Sequence, residues 1–336
     1  MLLHLAAVDD TELLRMLPER AKASGRHELT DDPAAAEMIL LLGSFGGHQT
    51  ARLLEHPLYQ RFRDKVAVYT DDDHYLPLAP GVYCSAAVDE SVRCGRVSNY
   101  SYVTANGQFA NQFAAGASAA AERTLLFSFQ GGSTSLLRKK LFNLDFGRED
   151  VFIENTSAYR HWDDSQQDRA ERQRRYAETL ASSSFVLCPR GAGRGSIRFF
   201  EVMRAGVAPV LLSDGYALPP GPDWDSFLIR VAEKEMKDLP KILEPLKGSA
   251  IERGCLARAA WEEYFAPEVE FDLIVERAWS ALNHAPPLEE HFRRQQQSMI
   301  AAAARKEKMR AAAKSVVLWG LKTLRLKNPY QMNRSS

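Results

Sequence analysis

Short, wholly apolar runs alternate along this chain with longer stretches of helical spacing. Residues 2–8 (LLHLAAV) predict a first strand, and residues 11–23 (TELLRMLPERAKA) predict a helix. MILLLG at 38–43 and KVAVYT at 65–70 have no polar alternation, the pattern of strands buried on both faces. In the second half, RTLLFSF at 123–129 predicts a strand that runs into Gly131, Gly132 and Ser133 and then into the helical SLLRKKLF. VFIE at 151–154, FVLC at 185–188, APVLL at 208–212 and FLIRV at 227–231 predict further strands. Between them, DRAERQRRYAETLAS at 168–182 and SIRFFEVMRAG predict helices, the second stopped at Gly206. From EMKDLPKILEPL onward the pattern is helical. Strands alternating with helices make parallel sheets covered by helices, and the second half reads as a doubly wound nucleotide-binding unit.

At 336 residues the chain is long enough for two domains. The small, uncharged AAGASAAA at 114–121 is read as the connection between them, with a short Ala-rich helix as the alternative. This gives an N-terminal unit at 1–118, a second unit at 122–285 and a tail at 286–336. The 43 basic and 43 acidic residues cancel, which argues against a dedicated nucleic-acid binder. No uncharged apolar run reaches the length of a membrane span. The N-terminus lacks a basic start and meets Asp9 and Asp10 early, so it is not read as a signal peptide. Cys84, Cys94, Cys188 and Cys255 form no CxxC pair and are expected as reduced thiols. The expectation is a cytoplasmic protein. From Ala301 to Ser336 nine Lys or Arg stand against one acid, Glu307, beside an apolar set that includes Val316, Leu318 and Trp319. Such a helix can lie on an anionic membrane surface, so residues 301–336 are expected to hold the protein peripherally on the inner face; packing on the protein itself is the alternative.

The chemistry concentrates in CPRGAGRGSIRFFE, residues 188–201. The segment leaves a buried strand and enters a helix, so its backbone N–H groups meet the positive end of a helix dipole, a ready anion site. Gly191, Gly193 and Gly195 allow close approach of a ligand. Arg190 and Arg198 can fork onto phosphate oxygens, and Ser196 suits both an N-cap and a phosphate donor. Glu201 follows Arg198 by three residues on one helical face, where a carboxylate can accept the hydroxyls of a ribose. The spacing G-x-G-x-G is neither the dinucleotide fingerprint nor a Walker A loop.

The stretch from Phe185 to about Leu246 resembles the exostosin family, glycosyltransferase family 47. The resemblance runs through PRG, S-x-RFFE, AG-x-x-PV, SD-x-x-x-LP and DW in the family's order, and upstream through RTLLFSFQGGSTSLLRKKLF with Arg138. It implies an α/β, GT-B fold: two Rossmann-like doubly wound domains facing across a cleft. It implies an inverting glycosyltransferase, of hexosyl or glycuronosyl type, with a nucleotide-sugar donor, most often UDP-linked. The acceptor would be a glycan or lipid-linked saccharide hydroxyl. Arg190, Ser196 and Arg198 would meet the diphosphate and Glu201 the ribose, while Gly131, Gly132 and Arg138 would line the other side. The single domain pair, with no anchor, stem or second transferase domain in the sequence, looks like a compact bacterial-type member.

No cofactor is expected, since the nucleotide sugar is a substrate, and no divalent metal. Transfer needs a base, expected from the N-terminal unit. The candidates are His48 in GSFGGHQ and Asp72 or Asp73 in TDDDH, with the aspartates preferred. Asp71 and Asp73 also read as a D-x-D pair for Mg²⁺ or Mn²⁺, which would make a metal-dependent transferase. His161, Trp162, Asp163 and Asp164 form another polar cluster, and Trp224 with Asp225 sits where a sugar or base could stack or where the core could take the ring. Against a transferase stands a non-catalytic, exostosin-like subunit that binds nucleotide or glycan within a polysaccharide assembly complex. A GT-B phosphorylase is a third reading, but the lysine it would need is not evident in the Gly-rich loops.

Overall fold

A computed structural model describes residues 1–8, 12–43, 50–103, 110–114, 122–158 and 166–284, together with scattered positions between 298 and 315. The His48 loop, most of the Ala-rich connection, the His161–Asp164 cluster and nearly all of the basic tail lie outside the described residues.

The chain folds into two wholly parallel sheets. The first contains β1 (Leu2–Ala7), β2 (Glu28–Leu29), β3 (Met38–Leu42), β4 (Val66–Thr70), β5 (Gly81–Tyr83) and β6 (Val97–Ser98), in the spatial order β2-β1-β3-β4-β5-β6. The second contains β7 (Leu125–Gly131), β8 (Val151–Asn155), β9 (Ser183–Pro189), β10 (Ala208–Leu212) and β11 (Ile229–Arg230), in the order β11-β10-β9-β7-β8. Each sheet winds outward in both directions from its first long strand. This is the paired, doubly wound α/β architecture of the GT-B expectation.

The apolar runs behave as their pattern dictates. Every residue of β3, β4, β9 and β10 is buried, because helices cover both faces of a parallel sheet. The three strands absent from the sequence reading, β2, β5 and β6, have two or three residues each, too few to show a period. Gly81 in β5 has φ +150°, and a Cβ there would stand 2.6 Å from Val68 N and 2.9 Å from Val68 C, so the β4–β5 pairing needs glycine. The predicted strand at 227–231 shrinks to β11, because a one-turn helix, Trp224–Phe227, takes its start.

The two sheets share one core. Leu3, Tyr69, Tyr100 and Tyr102 from the first side pack in the same cluster as Phe199, Phe200, Trp261 and Phe265 from the second. The last long helix, Pro267–His284, lies within the expected second unit but crosses back onto the first sheet and the Glu12–Ser24 helix. Its buried positions Phe271, Ile274 and Val275 explain the crossing, since they complete the shared core. Polar bonds fix the seam. Arg20 Nη1 lies 2.5 Å from Glu270 Oε1, Ser24 Oγ donates to Asp272 Oδ1 at 2.6 Å, and Arg26 Nη2 donates to Glu276 Oε1 at 3.0 Å. The side chain of Glu270 is fully buried.

Removing one member of a buried ion pair strands the other charge, at a cost of about 3 kcal/mol. Arg20→Met is therefore expected to lower the unfolding free energy by about that amount in a urea titration. A loss below about 1 kcal/mol, the range of an exposed pair, would show that this bridge does not hold the crossing helix.

Candidate functional site

In an open parallel sheet, ligands bind beyond the carboxyl ends of the strands at the point where the winding direction reverses. In the second sheet that point lies between β7 and β9. Gly131 ends β7 and Arg190 follows β9, so the two Gly-containing loops meet there by topology. Ser135 joins them: its Oγ caps the Leu136–Phe142 helix by accepting from Arg138 N at 3.2 Å, and donates to the Arg190 carbonyl at 3.1 Å.

Two guanidiniums converge on this point. Arg138 is buried and spends part of its donor set on the loops themselves. Its Nε donates to the Pro189 and Arg190 carbonyls at 3.2 Å, Nη2 to Pro189 at 3.0 Å, and Nη1 to Gly132 at 3.3 Å. Burial, with Arg198 adding to it, pushes its pKa down to about 10, which still leaves it charged at neutral pH. Arg198 stands 5.0 Å from the Phe129 ring centre and Arg138 stands 5.5 Å from it. A Cβ on Gly131 would lie 2.9 Å from Arg198 Nη1, so the bare backbone of Gly131 makes room for the guanidinium. Gly191 faces Thr134 Oγ1 and Arg138 Nη2 at 3.3 and 3.6 Å from a notional Cβ. Among the described residues neither arginine has a carboxylate within ion-pair distance.

Ser196 is the N-cap of the Ile197–Arg204 helix, yet its hydroxyl makes no capping bond. It is 5% exposed, and its Oγ has no hydrogen-bond partner among the described residues. Buried hydroxyls are normally satisfied. Two cations with no carboxylate at ion-pair distance among the described residues, beside the start of a helix whose N-cap hydroxyl is unanswered, describe a site for an anion with several oxygens. Glu201 lies one turn farther along the same helix. Its Oε2 accepts from the Tyr176 hydroxyl at 3.3 Å, and it lines a cavity with Ser101, Tyr102, Asn111, Phe200 and Arg204.

The remaining candidates part company with this cluster. Arg190 turns away into a two-pronged ion pair with Glu233, Nε to Oε1 at 2.6 Å and Nη2 to Oε2 at 3.2 Å. Glu233 also accepts from Asp214 N at 3.2 Å. Arg190 thus braces the loops beyond β10 and β11 rather than facing the anion site. Gly193 and Gly195 meet protein, not open space. A Cβ on Gly193 would collide with Ser85 Oγ and with the Asp73 backbone, 2.6 Å from its oxygen. One on Gly195 would collide with Cys84 O and the Tyr102 ring. Ser85 Oγ accepts the amides of Arg194 at 2.7 Å and Gly195 at 3.2 Å. Part of the backbone read as a ligand cradle is therefore a docking surface between the two halves. Trp224 packs with Phe199, Phe227 and Phe265 and donates Nε1 to the Pro219 carbonyl at 2.8 Å, so the ring belongs to the core; Asp225 pairs with Arg230 at the surface.

Across the seam, Asp72 and Asp73, two of the three aspartates after β4, have different partners. Asp72 Oδ1 accepts from His74 N at 2.8 Å and meets His74 Nδ1 at 3.1 Å, which spends it on the turn. The carboxyl of Asp73 accepts from the Tyr102 hydroxyl at 3.3 Å. Although the residue keeps exposure to solvent, partial loss of hydration raises its pKa; the Tyr102 bond opposes the rise and the Asp72 charge adds to it. His48 lies outside the described residues. Among the described residues no group of three or more His, Cys, Asp and Glu side chains is placed to hold a metal ion. The sequence reading missed Tyr176, Ser85, Tyr102 and Phe129. Only Phe129 had a signal, in the aromatic that precedes Gly131 by two residues.

Residues 82–246 match the Exostosin GT47 domain. The match begins in β5, so it takes in Ser85 and Tyr102 as well as the Gly-rich turn. The Exostosin-1 homolog of Caenorhabditis elegans is 31% identical over 185 residues, 51% of this chain and 48% of that protein. Exostosin-1 of Drosophila melanogaster is 31% identical over 159 residues, 43% of this chain and 21% of that protein. The chain spans about half or less of the curated relatives it matches. Its shape is similar to that of Acinetobacter baumannii MurG, with a TM-score of 0.38 at 13% identity, covering 82% of this chain and 99% of that one.

Because Gly195 abuts backbone and ring across the seam, Gly195→Ala is expected to destabilise the chain by about 1–3 kcal/mol through overpacking. Gly132→Ala, whose nearest neighbour would stand at an ordinary 3.7 Å, is expected to cost less than about 0.5 kcal/mol. Thermal melts of the two variants compare them directly; equal midpoints would remove the docking role from the turn.

Proposed function

This chain is a member of the exostosin family, carrying its GT47 domain at residues 82–246, and on that premise we propose that it is a glycosyltransferase acting on a nucleoside diphosphate sugar, UDP-linked in the first instance. The observation that supports this most strongly is the convergence of Arg138 and Arg198 on the Phe129 ring, beside the start of the Ile197–Arg204 helix, whose N-cap hydroxyl on Ser196 is unanswered. Those groups bind the diphosphate, and Glu201, one turn on, accepts the ribose hydroxyls. As the sugar leaves, negative charge grows on the phosphates. Fixed cations and a helix N-terminus aimed at that charge stabilise it with no reorganisation, and this is the role a divalent metal would otherwise fill. The acceptor is a glycan or lipid-linked saccharide hydroxyl, and transfer inverts the anomeric centre by direct attack.

Asp73 is the base in this reading. It stands on the first sheet's side of the seam, against the Gly-rich turn, with its carboxyl held by Tyr102 and its proton affinity raised. A raised pKa favours proton acceptance at working pH. The protein works in the cytoplasm, with residues 301–336 drawing it to an anionic membrane face; no described helix is long and apolar enough to cross a membrane.

Calorimetric titration with UDP, GDP and CMP, each with and without EDTA, tests the donor site. UDP binding is expected to survive EDTA and to disappear in Arg198→Ala. Binding that needs metal would move the site toward Asp71 and Asp73, and no nucleotide binding would favour a non-catalytic subunit. For the base, Asp73→Asn is expected to cut kcat by about 10²–10⁴-fold while UDP affinity holds. The base works only when deprotonated, so the rate falls as pH drops through the Asp73 pKa. Tyr102→Phe removes a bond that lowers this pKa, so the acid limb of the kcat profile is expected to move to higher pH. An unmoved limb, or an Asp73→Asn enzyme of normal kcat, transfers the role to another residue.

A further inference from the structure

Arg198 and Glu201 sit three residues apart on one helix, so their backbones are neighbours. That spacing does not fix how their side chains point relative to one another. A residue from another helix does so. Tyr176, on the Gln166–Ala181 helix, places a single hydroxyl between them. The oxygen accepts from Arg198 Nε at 3.2 Å, and the same hydroxyl donates to Glu201 Oε2 at 3.3 Å. The Tyr176 ring centre also stands 5.5 Å from the Arg198 guanidinium carbon, a second aromatic contact beside Phe129 at 5.0 Å.

A guanidinium carries its N–H groups in a rigid planar fork. With Nε committed to the phenol and two aromatic rings close to the guanidinium carbon, the rotations of Arg198 are restricted. The Nη prongs remain at the loop, Nη1 beside Gly131. The same phenol orients the carboxylate that lies one turn away. The hydroxyl is poorly replaced by water, since protein surrounds it; burial raises its pKa despite the neighbouring Arg198 charge. It therefore stays a neutral phenol that accepts on one side and donates on the other.

We propose that Tyr176 is a positioning residue that locks Arg198 and Glu201 into one preorganised reader, coupling recognition of the phosphates of a nucleoside diphosphate to recognition of its ribose. The proposal rests on the donor-site reading above. Its energetic content is preorganisation: orientation set before binding is not lost again when the ligand arrives.

The test is calorimetric titration of the full chain with UDP and with inorganic pyrophosphate. The proteins are the unmodified chain, Tyr176→Phe, Arg198→Lys and the double variant. Tyr176→Phe keeps the ring and deletes only the hydroxyl. It is expected to weaken UDP about tenfold or more, the scale of hydrogen bonds to charged groups. Pyrophosphate, which has no ribose for Glu201 to read, is expected to weaken by a smaller factor. Lysine has no planar fork to hold, so in the Arg198→Lys background the Tyr176→Phe loss is expected to shrink at least about threefold. UDP affinity within twofold of the unmodified chain, or an identical loss in both backgrounds, overturns the proposal. Should Tyr176→Phe melt early, arginine-labelled NMR of the unmodified, nucleotide-free chain decides. A slowly exchanging Nε–H that vanishes in Arg198→Lys is expected, and its absence overturns the proposal. If the unmodified chain binds none of UDP, GDP or CMP, the donor-site reading fails first and takes the coupling with it.

Discussion

A guanidinium set against aromatic rings needs a negative partner, and among the described residues no carboxylate stands within ion-pair distance of Arg198 or Arg138. Arg198 is held by Phe129 and Tyr176, and Arg138 is buried under the loop carbonyls of residues 132, 189 and 190. Burial, with the Arg198 charge adding to it, lowers the pKa of Arg138. Folding tolerates the arrangement because carbonyl oxygens and ring faces offset part of the desolvation. What remains is positive potential at the carboxyl end of β7 and β9, and the loops, the helix N-terminus and Ser196 are arranged around it.

The second constraint is the seam. One apolar cluster runs from Leu3 to Phe271 through both sheets, and the final helix returns to the first sheet to complete it. The halves are thus not independent domains joined by a cleft alone. At the seam the Gly-rich turn meets Ser85, Asp73 and Tyr102. Two of its three glycines serve that contact, while Gly191 faces the anion site. The same few residues therefore set how near a donor on one sheet comes to the proposed base on the other. Ser85, by accepting two amides of the turn, fixes that approach with hydrogen bonds as well as packing.

Individual residues show how far the sequence could be read. β3, β4, β9 and β10 were legible because a parallel strand buried on both faces leaves an unbroken apolar run. β2, β5 and β6 were not, because they exist only by pairing with longer neighbours. The strand-to-helix turn that carries Ser196, Arg198 and Glu201 was legible because it follows a local rule. The pairing of Arg190 was not legible because its partner, Glu233, lies 43 residues on. Trp224 was left open between stacking and core because two of its aromatic neighbours, Phe199 and Phe265, lie far from it along the chain. Tyr176 passed unnoticed inside a charged helix, since a phenol gains its role only from what stands opposite.

The sequence by itself determined the alternation of strands and helices, the α/β class and the family signature around residues 188–201. These rest on period, chain order and turn chemistry, which act over a few residues. Only the tertiary structure decided which glycines serve the seam and which serve the site. It also decided that Arg198 faces the loops while Arg190 turns away, that Asp73 rather than Asp72 keeps its carboxyl toward the seam, and that one phenol joins Arg198 to Glu201. Those are choices among partners distant in sequence, made by packing and by the cost of leaving a buried polar group unanswered.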